Sequence, residues 1–92
     1  MPQQTPNDPH ALALAALTAT LTDERRALRF LDLTGIGTDE LRRRAAEPRL
    51  LSALIGFLEA YEPDLLSVSE QISVKPDALV AARRALDIEE KP

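Results

Sequence analysis

PRLLSALIGFLEAY, residues 48–61, is the stretch on which the fold turns. Wound at 3.6 residues per turn, Leu50, Leu51, Leu54, Ile55, Phe57, Leu58 and Tyr61 leave only a narrow polar edge. A helix apolar on nearly every side belongs at the centre of a globule. Pro48 suits its first position, where a fixed φ is an advantage and a missing N–H costs nothing. The stretch also holds Arg49 and Glu59 and is about 14 residues long, short of the roughly 20 that span a bilayer. It therefore predicts a buried central helix.

Proline punctuates the chain on both sides. Glu62-Pro63 opens a fifth helix with Leu65, Leu66 and Val68, ending near Gln71, and Lys75-Pro76 opens a sixth with Leu79, Ala82 and Leu86 at i, i+3 and i+7. Upstream, Asp8-Pro9 reads as the cap and first residue of a helix reaching about Thr20, with Leu14, Leu17 and Leu21 as its expected core stripe. Thr22 is expected to cap a second helix to about Leu33, burying Ala27, Leu28, Phe30 and Leu31. Thr38 is expected to cap a third, from Asp39 to about Ala46, which must end before Pro48 because proline disfavours helical geometry at Glu47. The one β-branched cluster, ISV at 72–74, is too short for a strand. The fold class expected is all-α, a compact orthogonal bundle of five or six short helices around residues 48–61. A disordered lead-in is expected at 1–7, one helical domain at 8–88, and a frayed charged tail at 89–92.

Composition agrees. Leu and Ala, both strong helix formers, supply most of the apolar content, and only Phe30, Phe57 and Tyr61 are aromatic. Ninety-two residues are enough for one core. The absence of cysteine removes disulfides, thiol nucleophiles and thiolate zinc sites, and a reducing compartment, the cytoplasm, fits that usage. ALALAALTATL resembles the apolar part of a secretory signal, but no basic residue precedes it, so it reads as a helix of the domain. Net charge is −4, unevenly spread: residues 23–49 carry seven arginines against six acidic residues, and residues 59–92 carry four basic against eight acidic. This is a poor footprint for a polyanion binder, whose affinity comes from neutralising phosphates.

LTGIG at 33–37 has the apolar-x-Gly-apolar-Gly form of a helix-hairpin-helix loop, whose backbone amides can hold a phosphate. Asp39 and Glu40 follow it and would repel one. Each loop residue also has a capping role: Gly35 for a left-handed helix end, Ile36 to pack back on Leu31 in a Schellman arrangement, Gly37 for the turn, and Thr38 for the next cap. Arg42, Arg43 and Arg44 fan over the helix at 100° steps, so all three cannot face one ligand. Glu40 and Arg44 are spaced for a pair, while Arg42, Arg43 and Arg49 are the candidate partner-binding residues. A helix-turn-helix over 65–86 is disfavoured because Arg83 and Arg84 lie too far along its second helix for base readout. His10, the one histidine, stands in the first turn of helix one, and no carboxylate pair has catalytic spacing. The chain reads as non-enzymatic, with no cofactor or metal.

Taken together, LALAAL, RFLDLTGI at 29–36, DELRRRA at 39–45, EPRLLSALIGFL at 47–58, YEPDLL at 61–66 and VKPDALVAARRAL at 74–86 resemble a family of short, uncharacterised bacterial proteins, chiefly alphaproteobacterial, defined as a domain of unknown function. The resemblance implies an all-helical fold and supplies no catalytic residues. It also implies glycine in the turn before helix six, where this chain has Ser73. The function expected is a protein–protein interaction or adaptor role as a monomer or weak homodimer, with no membrane contact. The alternative is nucleic-acid binding through the Gly35–Gly37 hairpin and the Arg42–Arg49 face.

Overall fold

The computed structural model describes residues 8–90 and contains six helices: α1 (Pro9–Leu21), α2 (Glu24–Thr34), α3 (Thr38–Arg44), α4 (Pro48–Glu59), α5 (Glu62–Gln71) and α6 (Pro76–Glu90). The expected lead-in at 1–7 and the last two residues lie outside the described residues. α4 packs most extensively on α6, and both pack on α1, so three helices form the centre and α2, α3 and α5 lie around them. Leu50, Leu51, Leu54, Ile55, Phe57 and Leu58 of α4 are buried, whereas Tyr61, just past its end, is 52% exposed. The expectation of a central helix holds, with α1 and α6 as its partners. On α6 the expected stripe of Leu79, Ala82 and Leu86 is buried.

α1 is capped as its sequence indicates, Asp8 accepting a hydrogen bond from His10 N–H at 3.1 Å with Pro9 following. Of the expected leucine stripe, its core face takes only Leu17. Leu12, Ala13, Ala16, Leu17 and Thr20 are buried, while Leu14 and Leu21 are 44% and 39% exposed. The side chains of α1 are apolar almost all round, so periodicity alone cannot choose a face. Contact chooses it: Ala13 and Ala16, both fully buried, leave room for the backbone of α1 to approach its neighbours. Thr20 is accommodated beside them because its hydroxyl donates to Ala16 O at 2.8 Å.

α2 departs further from expectation. Phe30 is fully buried, edge-on to Phe57 at 5.3 Å between centroids, but Leu28 is 56% exposed, Ala27 and Leu31 are half-buried, and Arg26 is buried instead. The cap of α2 is Asp23, which accepts from Arg26 N–H at 3.1 Å; Thr22 donates its hydroxyl back to Ala19 O at 2.7 Å. The Asp23 carboxyl is held below its ordinary value, chiefly by that backbone hydrogen bond.

Two turns take the left-handed conformation, and they close with different hydrogen bonds. At Gly35, φ is +75° and its N–H donates to Leu31 O at 2.8 Å, the single bond of the simpler left-handed cap in place of the expected Schellman pair. The Schellman pair forms at the end of α5. There Ser73 N–H donates to Glu70 O (3.1 Å) and Val74 N–H to Ser69 O (2.9 Å), with Ser73 at φ +61°. This is the position where the family resemblance implies glycine, and the conformation is the one glycine adopts without strain. α3 begins at Thr38 itself, with extended Gly37 before it and no side-chain cap, so Thr38 is not the capping residue expected. α6 continues to Glu90, past the boundary at 88. Asp87 is tied to Ser52 and Arg83, and Glu89 lies 3.1 Å from His10 Nε2, which holds the last turn in place.

Candidate functional site

Of the surface concavities that border α2, two have mainly apolar walls. The first lies where α2 meets the C-terminal end of α4; it has a volume of about 510 Å³ and is lined by Arg29, Leu33, Phe57, Ala60 and Tyr61. The Arg29 guanidinium stands over the rings of Phe57 and Tyr61 at 5.3 and 5.2 Å. It also pairs with Asp64 in the first turn of α5. Arg26 approaches the other Asp64 oxygen at 3.9 Å and donates to Ala19 O at 3.0 Å, at the C-terminal end of α1. Arg26 and Asp64 are buried, so this charge set lies partly inside the domain, with Arg26 Nε left without a hydrogen-bond partner. Its arrangement suits a clamp: one carboxylate ties α2 to α5, and one arginine ties α2 to α1.

The second concavity, about 420 Å³, lies between α1, α2 and α3. Leu14, Leu17 and Leu21 form its α1 wall, Ala27 and Leu31 its α2 wall, and Leu41 its α3 wall. Thr18, Thr38, Ala45 and Arg42 complete the lining. The two leucines that α1 turns away from the core are therefore not scattered on the surface; they line one groove. Arg42 is the only charged group in its lining, and among the described residues it meets no carboxylate at ion-pairing distance. Its neighbour Arg44 is the opposite case. It pairs with Glu47 at 2.9 Å and with Glu40 at 3.1 Å, and those hydrogen bonds, Glu47's first, raise its pKa above the usual arginine value.

The sequence candidates are thus divided. Arg42 and Thr38 line the groove, Arg43 and Arg49 are exposed outside its lining, and Gly35 and Gly37 make the turn between two of its walls. Ile36 packs half-buried against the core. The sequence reading missed Arg26, Arg29 and Asp64. One signal was available for two of them: Arg26 stands one turn before Phe30 and Asp64 one turn before Val68, so once those apolar residues face inward, their i−4 neighbours must as well.

Both concavities lie within residues 6–89, which match the family described as "Protein of unknown function (DUF3572)". The chain belongs to that family. The family match covers all but the last residue of α6, so the core helices and both grooves are parts of one family domain. Comparisons with curated proteins and with solved structures give no match. Among the described residues no helix is long and apolar enough to cross a membrane, and no group of three or more His, Cys, Asp or Glu side chains is placed to hold a metal ion.

Proposed function

We propose that this domain is a non-enzymatic protein-interaction module and that the groove between α1, α2 and α3 is its contact surface. The observation that carries the reading is the placement of Leu14 and Leu21: two large apolar side chains of a central helix are left partly in water along the same concavity. Single exposed leucines are ordinary, whereas grouped ones lining a groove are what a partner helix buries. The lining offers the hydroxyls of Thr18 and Thr38 and is otherwise aliphatic apart from Arg42, a composition that supports binding over catalysis. A phosphate at the Gly35–Gly37 turn would face Asp39 and Glu40, so the geometry favours a protein over a nucleic acid as the partner.

Site-specific photocrosslinking in the source cells tests the reading. A crosslinker at Thr18, inside the groove, is expected to trap discrete adducts that vanish with Leu14→Asp, while one at Arg84, exposed on α6, traps none of them. Equal adducts at both positions, or none at Thr18, would refute it.

A further inference from the structure

We infer that the groove takes an amphipathic helix from a partner protein, carrying an acidic residue one turn from its apolar contacts. This rests on the reading of the groove as a contact surface and names what fills it.

The helix follows from the α1 wall. Leu14, Leu17 and Leu21 keep the i, i+3, i+7 spacing with which one helix packs on another. Leu17 is 3% exposed and forms the floor, while Leu14 and Leu21, on either side along the same stripe, retain open surface. A stripe of this kind is complementary to apolar residues at i, i+3 or i+4 of an incoming helix.

The acidic residue follows from an account of the arginines. Arg26 and Arg29 share Asp64, Arg44 holds Glu40 and Glu47, and Arg83 holds Glu59 and Asp87. Among the described residues Arg42, like Arg25, Arg43 and Arg84, meets no carboxylate at ion-pairing distance, since Glu40 two positions before it points to another side of the helix; of these four arginines only Arg42 lines the groove. Its charge stands at the edge of an aliphatic surface, where a docked helix would exclude water and strengthen the attraction for a carboxylate. A basic residue in the same place would be repelled. The background also fits, since residues 23–49, which supply two of the three walls, carry one net positive charge, while the chain's negative excess lies mainly in 59–92.

The test is a display selection of helix-forming peptides of about four turns, run on the full chain in parallel with its Leu14→Asp and Arg42→Glu variants. Both substitutions are at exposed positions, and unchanged helical circular dichroism confirms folding before selection. Wild-type protein should enrich peptides with apolar residues at i, i+3 or i+4 and Asp or Glu a turn away. Leu14→Asp should bind them at least about tenfold more weakly. Arg42→Glu should weaken them about tenfold and shift its own enrichment toward Lys and Arg. Peptides that depend on Leu14 but show no acidic preference, or one that Arg42→Glu leaves unaltered, would overturn this inference and leave the groove reading standing. Enrichment indifferent to Leu14→Asp, or no enrichment above a blank surface, would overturn both. A concentration-dependent dimer in sedimentation, lost in Leu14→Asp, would overturn it in favour of a second copy of the chain.

Discussion

The two grooves beside α2 each combine apolar walls with an arginine, and they differ in what that arginine already holds. Arg29 is stacked on Phe57 and Tyr61 and paired with Asp64, so its charge is spent within the domain. Arg42 has no such partner among the described residues and borders a wall of leucines. The difference teaches that an exposed arginine beside apolar surface has two distinct meanings. Where a buried carboxylate neutralises it, it is part of the architecture; where none does, its electrostatic complement must come from water or from another molecule. The first groove therefore reads as an outer surface beside the α1–α2–α5 clamp, and the second as a surface that is incomplete.

The largest effect tests the support that both grooves share. Leu54 is fully buried on α4, and Leu54→Ala is expected to cost about 2–5 kcal/mol in chemical denaturation; a loss below about 1 kcal/mol would remove α4 from the centre of the fold. Next comes the clamp itself. Asp64→Ala strands the buried Arg26 and should cost about 2–4 kcal/mol, somewhat under the ~3–5 of a fully buried pair because Arg29 is half exposed. If Asp64→Ala proved neutral in the same measurement, the first groove would lose its architectural meaning and the contrast would collapse. Gly35→Ala acts on the turn between two walls of the second groove, and a destabilisation of about 1–2 kcal/mol is expected because alanine resists positive φ.

Ser73→Gly provides a control at a turn whose residues line neither groove. Thermal unfolding should show a gain of about 0.5–1 kcal/mol from relief of the left-handed serine, with peptide binding unchanged. The smallest effect is the most telling for the comparison. Arg42→Ala should alter stability by no more than about 0.5 kcal/mol, since it removes no ion pair among the described residues. A loss comparable to that of Asp64→Ala would mean that Arg42 is structural too.

Much of the architecture was legible because helix boundaries are local chemistry. Asp8-Pro9, Pro48, Pro63 and Pro76 each act within one turn of where they stand, and Gly35 takes the left-handed conformation its position demanded. The stripe of α6 was legible as well, because Leu79, Ala82 and Leu86 keep the i, i+3, i+7 spacing of one helix face. α1 and α2 were misread for opposite reasons. α1 has too many apolar residues for its pattern to favour a face, and α2 buries a charge, Arg26, whose place one turn before Phe30 points inward while its own hydropathy points outward. The candidate site was only half legible: Arg42 could be told from Arg44, which Glu40 is spaced to hold, but not from Arg43 and Arg49, which lie outside the groove lining.

An all-helical chain wrapped around residues 48–61, with its breaks at proline and glycine, follows from the order of residues alone, because caps, φ restrictions and a continuous apolar surface act over a few residues. Packing between helices sets which face of α1 turns inward, brings Arg26 and Asp64 together in the interior, and lines one groove with Leu14, Leu21 and Arg42. Those outcomes depend on close approach at Ala13 and Ala16 and on charges that meet across 38 residues of chain, from Arg26 to Asp64, and neither is encoded in the periodicity of any single helix.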